Sequence, residues 1–143
     1  MYFTIETNKD LFTVPQGYYL AHCISADFAL GAGIAKTFNE VYNMRYKLFK
    51  QYPDYEYDGF GDALPVDNVF NLVTKAVGRG KPTYYSLEGS LVCMRDIMND
   101  LDITKLAMPM IGCGLDGLRE DLVIEIIKDV FKDTNVEILI CKL

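Results

Sequence analysis

Three short segments of the chain hold the residue types from which a reactive site can be assembled. Gly31-Ala32-Gly33-Ile34-Ala35 sets two glycines just ahead of helical sequence. Glycine lets a backbone approach a ligand closely, and the unbonded amides of a helix start favour an anion. The same five residues also read as a plain turn into a helix. Gly112-Cys113-Gly114-Leu115-Asp116-Gly117 has the GxGxxG spacing between a strand and a helix. A dinucleotide fingerprint does not fit, because only one strand follows and Asp116 would repel a pyrophosphate cradled on the same amides. An acid there suits a position beside a sugar or a reacting carbon; the alternative is a solvated loop residue. Lys75 ends the apolar run Val69-Phe70-Asn71-Leu72-Val73-Thr74. A lysine on a cleft rim balances phosphate charge, or serves as an amine nucleophile where its surroundings favour the neutral form. On a sheet edge it is only a surface cation. Arg79 and Lys81, interleaved with Gly78 and Gly80, make a basic loop just beyond it.

His22 is the only histidine, so a site needing two imidazoles is excluded. It lies with Ser25 near the end of an apolar strand, as a packed core residue or as a cleft residue. Its neighbour Cys23 would point to the opposite face of that strand, which argues against a Cys–His catalytic pair. The four cysteines, Cys23, Cys93, Cys113 and Cys141, contain no CxxC pair. Zinc-ribbon and thioredoxin-type motifs are therefore absent, and free thiols in a reducing compartment are expected. The spacing implies neither a metal nor a cofactor. Tyr52, Tyr55, Tyr57 and Phe60 have ring faces that could stack on a base, but covering the core is the expected role.

These segments need a scaffold that brings them together. Residues 2–6 alternate and read as a strand, and residues 18–24 are almost wholly apolar, as in a strand buried on both faces. Helical sequence covers 34–42 and 45–51, and a loop covers 52–62. Residues 63–66 form a short edge strand that tolerates Pro65. A strand over 69–74 follows. Thr83 then caps a helix whose Leu87, Leu91, Met94 and Met98 share one face. Residues 106–111 read as a strand, and a last helix buries Leu122, Val123, Ile126, Ile127, Val130 and Phe131. Residues 136–141 close the sheet. Strands interleaved with helices give an α/β fold, a mixed, largely parallel sheet between two helical layers. Each reactive segment begins where an apolar strand ends. Ligands of open α/β sheets bind beyond the carboxyl ends of the strands, so the segments are expected to line one cleft.

The length of 143 residues suits one domain, with half the residues apolar and about a quarter charged. Twenty acidic residues against fourteen basic ones give a net charge of −6. Proteins that bind duplex nucleic acid by counterion release carry the opposite sign. No apolar run is long enough to span a bilayer. The first residues lack the basic region and apolar stretch of a secretory signal. An intracellular monomer is expected, cytoplasmic or, in a eukaryote, nuclear.

The combination of Ala21-His22-Cys23-Ile24-Ser25, Gly31-Ala32-Gly33-Ile34-Ala35, Val73-Thr74-Lys75, Lys81-Pro82-Thr83-Tyr84 and the run from Met108 to Asp116 resembles the macrodomain family. More narrowly, it resembles the branch containing terminal ADP-ribose protein glycohydrolase. The resemblance implies one macrodomain-like ADP-ribose-binding domain over residues 1–143. ADP-ribose would lie across the carboxyl edge of the sheet, with Asp10 on the adenine amino group and Leu11 alongside. The ADP-ribose-binding set it suggests also includes His22 and Ser25. Gly31, Ala32, Gly33, Ile34 and Ala35 would wrap the pyrophosphate and distal ribose, together with Ile111, Gly112, Cys113, Gly114 and Leu115. It further implies that Lys75 attacks the anomeric carbon of the distal ribose and that Asp116 assists and resolves the adduct.

The activity so implied is hydrolysis of ADP-ribose from carboxylate side chains or of O-acyl-ADP-ribose, with ADP-ribose or ADP-ribosylated protein as the partner. Two other readings stand beside it: a non-catalytic ADP-ribose-binding module, and removal of ADP-ribose from a nucleobase in DNA, which the charge of −6 disfavours. The chain departs from the family in having Lys9-Asp10 where Gly-Asp is usual. His22-Cys23-Ile24-Ser25 replaces the Asn-rich motif of the wider family, as in this branch. Residues 44–67 match nothing in it.

Overall fold

Two separate apolar cores, one on each face of a single sheet, organise the chain. The computed structural model describes residues 1–143. The strands are β1 (Tyr2–Thr7), β2 (Tyr19–Ser25), β3 (Asp62–Val66), β4 (Val69–Lys75), β5 (Lys105–Met108) and β6 (Glu137–Lys142). They lie in the order β1-β6-β5-β2-β4-β3, and every pairing is parallel except β3 with β4. The helices are α1 (Gly33–Tyr42), α2 (Met44–Gln51), α3 (Tyr84–Asp100) and α4 (Glu120–Phe131). On one face α3 and α4 cover Phe70, Leu72, Leu106 and Met108. On the other, Phe38 of α1 and Met44 and Leu48 of α2 cover Leu20, Ile24, Val69 and Val73. The expected mixed α/β sandwich is what forms.

The strands alternate their side chains between the two cores, as a period of two requires. In α3, Leu87, Leu91, Met94 and Met98 are all fully buried, so the predicted helix face is the packed one. In α4, Val123, Ile127, Val130 and Phe131 are buried, whereas Leu122 and Ile126 are only half-buried. One strand is shorter than the sequence suggests. β5 stops at Met108, not Ile111, because Pro109 has no N–H to give to the ladder. Residues 109–111 thereby leave the sheet and turn toward its carboxyl edge.

Residues 44–67, which match no family motif, have structural work. Met44 and Leu48 are fully buried. The Tyr52 hydroxyl donates to the Pro65 carbonyl at 2.8 Å, and that of Tyr55 donates to Asp62 at 3.1 Å. The tyrosines pack over the sheet, as expected, whereas Phe60 is exposed and lies edge-on to Tyr85 instead of covering the core.

The start of α3 is tied to the end of β4. Thr83 accepts from the Ser86 amide at 2.9 Å and the Ser86 side chain returns to the Thr83 amide, a reciprocal cap. The Ser86 hydroxyl also donates to the Thr74 carbonyl at 2.7 Å, one residue before Lys75. Close packing supports this junction. A Cβ on Gly61, whose φ is +91°, would come within 2.1 Å of the Ser86 carbonyl oxygen.

His22 sits in the middle of β2, fully buried, with its ring stacked on Phe38 at 3.9 Å between centroids. Its Nε2–H donates to Asn71 Oδ1 at 2.6 Å, and Asn71 Nδ2 donates to the Leu64 carbonyl at 3.0 Å. That leaves Nδ1 as a bare lone pair with no partner. Burial lowers the imidazole from its ordinary 6.5 to about 4, the Asn71 bond opposing the shift. A base depressed in this way contributes stability that is complete above its unfolded value and lost as pH falls toward the folded one. From pH 7 to pH 5 this group alone should remove about 2 kcal/mol of folding free energy. Urea titrations at the two pH values should show this, and His22→Gln should lose less stability over the same interval by about that amount.

Candidate active site

The carboxyl ends of β2, β4 and β5 open onto one cleft of about 860 Å3. Gly31, Ala32, Gly33, Ile34 and Ala35 line it, as do Ser25, Lys75, Ile111, Gly112, Gly114, Leu115 and Asp116. An adjoining chamber of about 610 Å3 is lined by Asp10, Leu11, Phe12 and Cys113. Gly33, Ile34, Pro109, Met110 and Gly114 border both, so the two form one continuous groove.

Lys75 and Asp116 meet at the end of the groove away from Asp10. Lys75 Nζ donates to Asp116 Oδ1 at 2.8 Å, and each side chain is 15% exposed. The convergence has a backbone origin. A register shift between Ile24 and Ser25 sets Ser25 opposite Lys75, and the Ala26 amide closes on the Lys75 carbonyl at 2.9 Å. Gly112, with φ of +73°, then turns the chain after β5 back over the sheet edge. The Leu118 amide bonds the Gly112 carbonyl at 2.8 Å and closes that loop. A residue with a side chain at Gly112 would be strained at this φ, and its Cβ would press on Leu118 Cδ1 at 2.9 Å.

Between the ion pair and Asp10 the groove presents open backbone amides. The N-cap of α1 is Ala32, which offers no side-chain cap. The amides of Gly33, Ile34 and Ala35 accordingly have no acceptor within the chain, and neither do those of Gly114, Leu115 and Asp116. Two sets of open amides thus flank the groove, a helix N-terminus on one side and a glycine loop on the other. This is an arrangement for a diphosphate. At the far end, Asp10 caps the single 3-10 turn Leu11–Thr13 through one carboxylate oxygen, which accepts from the Phe12 amide at 2.9 Å. Its other oxygen has no hydrogen-bond partner within the chain.

Two findings revise the sequence reading. His22, expected among the binding residues, does not line the groove; it lies in the core beneath α1, on the face opposite Cys23. The reason is strand alternation at a position three residues short of the sheet edge. Asp27, which was not singled out, organises the site. Its carboxylate accepts from the Ser25 hydroxyl, from the Ala29 amide at 3.3 Å and from the Gly78 amide at 3.3 Å. It therefore joins the loop after β2 to the loop after Lys75. Burial alone would raise its carboxyl; the bonds from Ser25, Gly78 and Ala29 outweigh that and hold it below the usual carboxylate value. The signal in the sequence was an Asp two residues before Ala29 in a tight turn, the spacing of an Asx-turn.

The thiols near the groove are poor nucleophiles. Burial, with the Asp116 charge adding to it, pushes Cys23 up to about 12. Burial and the nearby Glu120 push Cys113 up to about 11. No group of three or more His, Cys, Asp or Glu side chains stands close enough together to hold a metal ion.

No family model matches the chain. ADP-ribose glycohydrolase OARD1 of Homo sapiens is 38% identical over 133 residues, 92% of this chain and 86% of that protein, and so is the protein of the same name from Bos taurus. This chain belongs to the macrodomain family. The fold agrees with the macrodomain of Mycobacterium tuberculosis DarG, with a TM-score of 0.83 at 19% identity over 99% of this chain and 97% of that one. A Thermosipho africanus DarTG structure in complex with ADP-ribose superposes with a TM-score of 0.74 at 19% identity. It matches 98% of this macrodomain and 42% of that longer chain. The raised Cys113 value has a direct consequence. Peptide mapping after iodoacetamide treatment should show slow alkylation of Cys113 at pH 7.5, rising about tenfold per pH unit up to pH 10. Rapid labelling at pH 7.5 would show a thiolate.

Proposed function

We propose that this macrodomain hydrolyses the bond between the distal ribose of ADP-ribose and a carboxylate acceptor, as a side-chain ester or as O-acyl-ADP-ribose. One observation carries the reading: a lysine–aspartate ion pair lies in a groove that also presents two sets of open amides. A module that only binds ADP-ribose has no use for a partly buried ion pair at that point. The name of the two 38% identical relatives, ADP-ribose glycohydrolase, supports the same activity.

In this reading adenine lies in the chamber at Asp10 and Leu11, and the diphosphate takes the amides of Gly33–Ala35 and Gly114–Asp116. The distal ribose is then left beside Lys75 and Asp116. Where the ester oxygen is on the anomeric carbon, Lys75 passes a proton to Asp116 across their hydrogen bond, and the neutral amine attacks that carbon. The bond from that carbon to the acceptor oxygen breaks, and its electron pair leaves on the carboxylate. Asp116 gives its proton up to solvent as the carboxylate departs. Water then loses a proton to Asp116 and attacks the same carbon, the carbon–nitrogen bond breaks with its electron pair on the lysine nitrogen to release ADP-ribose, and Asp116 returns the proton to Lys75. One ester and one water give one alcohol and one carboxylate, with one proton released to solvent. Four free cysteines support an intracellular, reducing location.

Lys75→Arg keeps the cation and so the fold, and should lower turnover of a glutamate-linked ADP-ribosyl peptide by on the order of 10³-fold or more. Asp116→Asn should lower it by about 10²–10⁴-fold, and the double variant should lose little beyond the worse single one. ADP-ribose affinity measured by calorimetry should survive Lys75→Arg, whereas Asp10→Ala should weaken it by about 1.5–3 kcal/mol. Wild-type protein that binds ADP-ribose and cleaves no ester would leave a binding module.

A further inference from the structure

The charges around the groove are uneven. Its wall carries Lys75, Arg79 and Lys81 against Asp27 and Asp116, in a chain with a net charge of −6. Both acids are already engaged, Asp116 by Lys75 and Asp27 by Ser25, Ala29 and Gly78. Arg79 makes no hydrogen bond and no ion pair. It differs in this from Arg45, which donates to the Phe28 carbonyl, and from Arg95 and Arg119, which pair with Asp96 and Asp121. Lys81 donates to the neutral Leu115 carbonyl at 2.8 Å and has no carboxylate partner. That bond carries the loop holding Arg79 from the end of β4 across to the residue beside Asp116. The loop is held in place while its arginine stays free.

The position of this loop decides what it faces. Lys75 and residues 77–81 line the chamber of the ion pair, and none of them lines the chamber at Asp10. In the hydrolase reading the two sets of open amides take the diphosphate. Arg79 is exposed and lines the chamber of the ion pair, from which, if the hydrolase reading holds, the acceptor leaves the distal ribose. We infer that Arg79, on the loop anchored by Lys81, is a specificity residue for the acceptor, selecting ADP-ribosylated carboxylates set in acidic peptide sequence. A guanidinium meets a carboxylate through two parallel donors and is strong wherever water is partly excluded. An acceptor of this kind is anionic before cleavage through its neighbours and after cleavage through the released carboxylate.

The test compares two peptides with one ester-linked ADP-ribose each, one flanked by Asp and Glu and one by Ser and Gly. It uses the full chain, and reads kcat/KM for both and Kd for free ADP-ribose. In the wild type the acidic peptide should be preferred by about tenfold, mainly through KM, with the preference shrinking as salt rises. Arg79→Ala should bring the ratio to within about twofold of one, Arg79→Glu should invert it, and Arg79→Lys should restore part of it. A wild-type ratio of one, or a ratio unchanged in Arg79→Ala, overturns the inference. So does a Kd for free ADP-ribose weakened tenfold in Arg79→Ala, which would put the guanidinium on the diphosphate. Wild type that cleaves neither peptide yet binds ADP-ribose defeats the hydrolase reading, and the acceptor subsite with it.

Discussion

An ammonium and a carboxylate 2.8 Å apart, each 15% exposed, set the terms for the rest of this structure. Partial burial removes much of the hydration of both charges, and the attraction between them offsets that loss only in good geometry. Forty-one residues of chain separate the partners. Their meeting therefore depends on the strand order that puts β5 beside β2 and β2 beside β4, and on where each strand ends. Pro109 ends β5, the register shift at Ser25 sets the level of Lys75, and Gly112 turns the chain back. A hydrophobic pair would have held the loops together as well, so stability gives little reason for charge here. The proposed hydrolysis gives a better one, since it needs a nucleophile and a proton carrier side by side.

The neighbouring walls follow the same economy. An anion in this groove meets backbone amides at a helix start without a cap and at a glycine loop, so in the proposed reading a diphosphate needs no cation of its own. The side-chain cations are thereby freed for the other end. Asp27 and Ser86 act one step back, joining the loop after β2 to the loop after β4, and the start of α3 to the end of β4. Neither touches the reacting position. Their hydrogen bonds fix the backbone from which Lys75 and Arg79 project.

Much of this was legible in the sequence, for reasons that differ between elements. The helix face of Leu87, Leu91, Met94 and Met98 was plain because its period is that of the helix and all four residues are buried. The two glycine segments were plain because each follows an apolar strand. Lys75 and Asp116 were ambiguous as residues, since a lone lysine and a loop aspartate have many uses; family resemblance, not spacing, singled them out. His22 was misplaced because a strand's register relative to the sheet edge is a tertiary fact. Asp27 was missed because its partners, Ser25, Ala29 and Gly78, lie in two loops that only the sheet brings together. Residues 44–67 match no family motif because their contribution is packing and hydrogen bonding, which leave none, although the helix and edge strand within them were legible.

The central claim is that Lys75 becomes covalently joined to the distal ribose during turnover. An amine bonded to the anomeric carbon of a sugar is in equilibrium with an open-chain imine, which borohydride reduces to a stable secondary amine. Wild-type protein turning over a glutamate-linked ADP-ribosyl peptide should therefore be trapped by cyanoborohydride. Tryptic mass spectrometry should then find one reduced ADP-ribose on the peptide containing Lys75 and on no other lysine. Full turnover with no trapped adduct, or an adduct carried by Lys81 with Lys75 unmodified, would contradict the account.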